Sequence, residues 1–243
     1  MWNLIFLITG TIFIILLSVM FFKKDILKTK ENQLFKYLII ANIVQYIVEI
    51  LLQIFVRTLG IDSIMVDIFG KLYLISIFIW FTFFSIYTFV ICLNKTNKAK
   101  YEFNFKKIRN IHIGLMISGI ISFALLPFEK FYEADKMYTY GLAVDALKVI
   151  LGIFMITWVV LLFKNLKKLK DKKYLPIFLI LLMLVANVII QSIDPSILIV
   201  DMVGTLICYA MSFTIENPDL KLIRELANNR RLTETSIEEK SKA

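Results

Sequence analysis

Seven apolar stretches, each about as long as a bilayer is thick, alternate with short lysine-rich connectors and take up nearly all of the sequence. They run over residues 2–22, 34–56, 72–93, 111–128, 142–163, 174–193 and 197–215. A helix needs about 20 apolar residues to cross roughly 30 Å of hydrocarbon, so each stretch has the length of a membrane span. A membrane β-barrel would alternate apolar and polar residues and turn about every ten residues. These runs are instead continuous and poor in glycine and proline. Hydrocarbon offers no hydrogen-bond partner, which leaves the helix, closing its own backbone bonds, as the spanning element. With 59% hydrophobic residues there is also too little polar surface to wrap a water-soluble core. The expected fold is all-α, an integral membrane seven-helix bundle over residues 1–215, followed by a juxtamembrane helix and tail over 216–243.

The formal charge of +9 would suit a nucleic-acid partner if it lay on one folded face. It lies between the spans, so the lipid bilayer is the expected partner and nucleic acid is not. Lys23, Lys24, Lys28 and Lys30 follow span one; Lys95, Lys98, Lys100, Lys106, Lys107 and Arg109 follow span three; Lys164, Lys167, Lys168, Lys170, Lys172 and Lys173 follow span five. The tail adds Lys221, Arg224, Arg230, Arg231, Lys240 and Lys242, while the opposite connectors carry little beyond Lys130, Lys136, Arg57 and Lys71. Short-loop lysine and arginine mark the cytoplasmic side, which puts the C-terminus inside the cell and the N-terminus outside. Termini on opposite sides require an odd number of spans, in agreement with seven. Span one is read as an uncleaved helix, because Lys23 and Lys24 follow it instead of preceding it and no small-residue cleavage site is present. The chain is therefore expected in the plasma membrane as a multi-pass protein.

Recognisable catalytic motifs are missing. No H-E-x-x-H pair, phosphate-binding glycine loop or nucleophile elbow occurs. Cys92 and Cys208 have no ligand-spaced neighbours and read as apolar fillers, so neither a metal nor a cofactor is expected. His112 reads as a polar interface residue. A retinal protein would need a Schiff-base lysine in span seven, which has none, and an Asp145–Asp201 protease pair has no supporting motif.

Ionisable groups are costly inside hydrocarbon and each needs a reason. Here they gather toward one side: Glu49 in span two, Asp67 and Lys71 at the outer start of span three, Asp145 and Lys148 in span five, and Asp201 in span seven. Asn187 and Gln191 share a face of span six at i, i+4, and Asn42, Gln45 and Glu49 form a polar strip on span two. Three readings stay open: an ion-pair network in which these charges neutralise one another, a ligand-binding cavity open to the outside, and a proton or ion path. Gly114, Ser118 and Ser122 form a small-residue stripe on span four, read as tight packing within the bundle, with homodimer formation as the second reading. The connector 129–141 is aromatic and acidic, which fits an interfacial belt or a lid. After span seven, Asn217, Pro218 and Asp219 have the chemistry of a helix start, so a new helix is expected at the membrane surface.

Three segments carry a family likeness: Lys71-Leu72-Tyr73-Leu74 through Trp80 to Phe84-Ser85-Ile86-Tyr87, the exit Phe213-Thr214-Ile215-Glu216-Asn217-Pro218-Asp219-Leu220, and Glu225-Leu226. In these the chain resembles the N-terminal seven-helix sensory region of bacterial histidine kinases and hybrid kinases. The resemblance implies a sensor module of a two-component type of system, relaying an external or membrane-borne signal through span seven and Asn217-Pro218 to a cytoplasmic kinase or other output domain. It does not carry over autophosphorylation, since no histidine follows His112 and no ATP-site glycines occur. The rival expectation is a stand-alone small-solute transporter, weakened by the absence of paired, broken helices.

Overall fold

The computed structural model describes residues 2–23, 29–93, 98–133, 136–165, 172–194, 197, 199–215, 226–227 and 229–231. Asn217 and Pro218, and with them the expected start of the output helix, lie outside the described residues. The chain folds as a helical bundle: α1 (Trp2–Phe22), α2 (Lys30–Leu59), α3 (Ile64–Cys92), α4 (Lys98–Leu125), α5 (Leu142–Lys164), α6 (Leu175–Ile193) and α7 (Val200–Ile215). Among the described residues six helices, α1 to α6, are long and apolar enough to cross a membrane. The seventh, α7, is apolar but shorter, at 16 residues.

Local chemistry sets the helix ends. Thr29 caps α2, its Oγ1 accepting from the Asn32 N–H at 3.2 Å. Gly60 closes the same helix at φ +78°, a left-handed conformation that glycine adopts without steric cost. Ser63 then caps α3, accepting from the Met65 N–H at 3.3 Å. This cap starts α3 at Ile64, eight residues before the expected 72, and so places Asp67 and Lys71 within its first two turns. Similarly α4 begins at Lys98, so that Lys106, Lys107 and Arg109 belong to a helix and not to a connector.

The central helix is α3, packed against α2, α4 and α5, while α7 packs against α1, α2 and α6. A helix apolar on every side can be covered on every side, and α3 is buried along most of its length. Its hydroxyls turn back onto their own helix: Ser76 Oγ donates to Tyr73 O at 2.7 Å, Thr82 to Phe78 O at 2.8 Å and Thr88 to Phe84 O at 3.0 Å. Trp80 stacks on Phe84 with centroids 5.6 Å apart, and Phe81 on Trp158 at 6.2 Å. By contrast α1, α4, α5 and α6 turn large apolar side chains outward, among them Ile12, Leu16, Ile117, Ile156 and Val188. Apolar area spread so widely over several helices belongs in lipid, and these helices build a multi-pass membrane protein.

The connector between α4 and α5 is a β-hairpin, β1 (Glu129–Glu133) paired antiparallel with β2 (Lys136–Tyr140). Phe131 stacks on its cross-strand partner Tyr138 at 4.8 Å. Glu129, opposite Tyr140, accepts a hydrogen bond from the exposed phenol and pushes its pKa above the ordinary range. Lys130 ties the hairpin to the bundle: its ammonium donates to Ile61 O at 2.7 Å and pairs with Asp67 at 2.6 Å.

The stripe Gly114, Ser118 and Ser122 points away from the bundle, and a Cβ added at Gly114 would meet nothing within 4 Å. This corrects the packing expected of it. The close approach is one residue off the stripe, at Gly119, where a Cβ would overlap the buried ring of Phe78. Gly119→Ala should therefore cost about 1–3 kcal/mol through forced repacking, whereas Gly114→Ala should stabilise by up to about 1 kcal/mol. Thermal or denaturant unfolding in detergent measures both; equal effects would place the α3–α4 contact elsewhere.

Candidate functional site

Polar residues on α2 recur at positions 42, 45, 46 and 49, a helical spacing that puts Asn42, Gln45, Tyr46 and Glu49 on one buried face. On α7, Asp201 and Thr205 lie one turn apart and are equally buried. The two faces meet. Thr205 donates its hydroxyl proton to Asp201 O at 3.1 Å, which leaves its Oγ1 to accept from Asn42 Nδ2 at 3.2 Å and from Tyr46 OH at 2.9 Å. Asp201 Oδ1 accepts from Gln45 Nε2 and, at 3.3 Å, from Tyr73 OH on α3. The Glu49 carboxyl completes the cluster, within hydrogen-bond reach of Asp201.

Two glycines make room for this contact. At Gly10 on α1 a Cβ would overlap the Tyr46 hydroxyl, and at Gly204 on α7 it would come within 3.3 Å of Asn42 Nδ2 and 3.5 Å of Trp80 Cε2. Asp201 also sits in the first turn of α7, where the helix dipole favours a carboxylate.

Beside the cluster lies a cavity of about 520 Å³, bounded by α3, α5, α6, β2 and the start of α7. Leu74, Ile77, Phe81, Leu147, Leu151 and Leu184 give it an apolar body, and Tyr73, Tyr138, Lys148, Asn187 and Gln191 line it with polar atoms. The Asn187 side chain is buried and its Oδ1 accepts no hydrogen bond from the described residues. Tyr73 belongs to both places: it lines the cavity, and its hydroxyl reaches Asp201.

The residues expected to share one outer cavity thus fall into three groups. Lys148, Asn187 and Gln191 line the cavity, with Asp145 at its edge, exposed and 3.3 Å from Lys148. Glu49 and Asp201 lie in the α2–α7 cluster behind Tyr73. Asp67 and Lys71 serve the helix ends, Asp67 through Lys130 and Lys71 by donating to Ala124 O at 2.7 Å. The ion-pair network across all these charges does not form: among the described residues no lysine or arginine reaches Glu49 or Asp201. Tyr46, Tyr73 and Thr205 were not identified from the sequence. Thr205 stands at i+4 from Asp201, the spacing that could have found it, while the tyrosines are hidden among many aromatic residues.

A second polar chain crosses the core nearer the lysine-rich end. Trp158 Nε1 donates to Ser85 Oγ at 3.4 Å, and Ser85 lies 3.1 Å from His112 Nε2. His112 Nδ1 faces the Ile108 carbonyl at 2.8 Å and must carry the proton there. Nε2 is then the acceptor, and donation runs Trp158 to Ser85 to His112 to Ile108. This neutral arrangement joins α5, α3 and α4 and leaves His112 as a structural link.

No protein-family model matches this chain, and no curated protein matches it.

The geometry separates two kinds of polar residue. Thr205→Val removes the shared acceptor of Asn42 and Tyr46 in the core and should cost about 0.6–1.7 kcal/mol, the range of side-chain hydrogen bonds between membrane helices. Asp145→Asn breaks only an exposed i, i+3 pair and should change stability by less than about 0.5 kcal/mol. Unfolding in detergent titrated with denaturing surfactant distinguishes them.

Proposed function

We propose that this chain is a membrane-embedded receptor module, which takes up a small or membrane-borne signal in the cavity beside α5 and α6 and relays it through α7 to a cytoplasmic output segment. The observation that carries the reading is the shared position of Tyr73. A molecule that fills the cavity presses on the Tyr73 ring, and the phenol hydroxyl is bonded to Asp201 at the start of α7. Displacement of the ring is thereby converted into displacement of a helix.

Lining chemistry narrows the signal to a molecule with an apolar body and a hydrogen-bond donor for Asn187 Oδ1. In this reading α7 is the seventh span, the hairpin end faces outward and residues 216–243 are cytoplasmic. The distribution of lysine and arginine supports that orientation. The likeness of the Phe213–Leu220 exit and the Tyr73–Tyr87 run to histidine-kinase sensory regions supports the partner: a kinase core or other output domain, working as a homodimer. Asn217 and Pro218 form the relay between membrane and output.

Two assays test the reading. In a chimera joining the chain after Ala243 to a histidine-kinase core, Tyr73→Phe should alter autophosphorylation several-fold, because it cuts the link from cavity wall to α7. An unchanged rate would break the relay. Purified protein in proteoliposomes should take up labelled amino acids, sugars and organic cations no faster than empty vesicles; saturable uptake of any of them would make the chain a transporter.

A further inference from the structure

Asp201 is incompletely satisfied. Its Oδ1 accepts from Gln45 and Tyr73, whereas Oδ2 is buried and receives no N–H or O–H donor from these neighbours. The group within reach is the Glu49 carboxyl. Two ionised carboxylates have only acceptors to offer each other, so a hydrogen bond between them needs a proton on one. Among the described residues no lysine or arginine neutralises the pair. The titratable groups facing it are Tyr46 on α2 and Tyr73 on α3; of the other elements packed against α7, α1 and α6 contribute no titratable side chain, and the 3-10 turn Lys172–Tyr174 lays its Lys173 ammonium on the Tyr174 ring. Two adjacent negative charges in so dry a place would repel strongly.

We propose that Glu49 and Asp201 form a binding site for a single proton, carried by Glu49 and donated to Asp201 Oδ2, which clasps α2 to α7. Asp201 is the carboxylate of the two because two donors converge on its Oδ1 and the first turn of α7 favours negative charge there. A metal ion fits less well. Hard cations such as calcium and magnesium need about six oxygens, and the space around Oδ1 is already filled by an amide and a phenol that donate. Among the described residues, no group of three or more His, Cys, Asp or Glu is placed to hold an ion.

The clasp is closed when protonated. Loss of the proton leaves two negative charges at the α2–α7 contact and drives the helices apart, so alkaline solution opens the site and acid closes it. This inference is independent of the cavity reading, and a failure of one leaves the other standing.

Infrared spectroscopy of the full chain in dodecyl maltoside, a detergent without ester carbonyls, reads the proton directly. Near neutral pH the wild type should show the carbonyl band of a protonated carboxylic acid, shifted by deuterium exchange. That band should be lost in Glu49→Gln, whose amide can still donate to Asp201, and kept at a shifted position in Asp201→Asn. Should Glu49→Gln fail to fold, wild-type protein labelled with ¹³C at the glutamate side-chain carboxyl replaces it, and the band should move with that label and not with aspartate label. A spectrum without the band, a band that follows aspartate label, or a band that vanishes when sodium chloride is added at fixed pH would each overturn the proposal.

Discussion

Inside hydrocarbon a polar group has no water to turn to and needs a partner within the protein, and at Asp201 Oδ1 that partner is supplied from two other helices. Gln45 donates from α2 and Tyr73 from α3, with the Glu49 carboxyl of α2 within reach. Without them, the first turn of α7 would carry an acidic residue better placed in water. Burial of Asp201 therefore fixes the rotation and depth of α7, and Thr205 one turn further on repeats the constraint through Asn42 and Tyr46. The glycines at 10 and 204 follow from the same requirement, since both contacts need backbones close enough for side chains to meet.

Lipid also removes the usual driving force for packing, because hydrocarbon tails are as apolar as leucine. What remains is shape and hydrogen bonding, and both concentrate on α3. Phe81 stacks on Trp158 and Phe84 meets it edge-on at the centre of the bundle, and Ser85 passes a hydrogen bond from that tryptophan to His112. The Trp158–Ser85–His112 chain stitches α5, α3 and α4 nearer the lysine-rich end, and the Asp201 cluster joins α2, α3 and α7 nearer the hairpin. Between the two linkages, at the hairpin side, the packing leaves the cavity open.

Helix identity was legible in the sequence because a hydrophobic run of membrane length has few alternatives. The boundaries of α2, α3 and α4 were less so: the charged first turns at Lys30 and Lys98, and the short run from Ile64 interrupted by Asp67, Gly70 and Lys71, read as connector, and only the caps at Thr29 and Ser63 disclose the first two. The hairpin was missed because its strands are five residues each and no Asn-Gly turn announces them. Hydropathy gave the depth of Glu49, Asp145, Asn187, Gln191 and Asp201 but not their azimuth around each helix. Depth alone merged them into one cavity; rotation separates Asp145 at the surface from Asp201 in the core.

Amide hydrogen exchange along α7 in lipid nanodiscs addresses the central claim, that side-chain bonds to Asp201 hold this short helix in the bundle. Residues 203–208, whose amides bond back along the helix from Val203 to Ile199 O, should exchange slowly in the wild type and many-fold faster in Asp201→Ala, with α5 unchanged. Equal protection of residues 203–208 in both proteins would mean that α7 is held by something other than its polar contacts with α2 and α3.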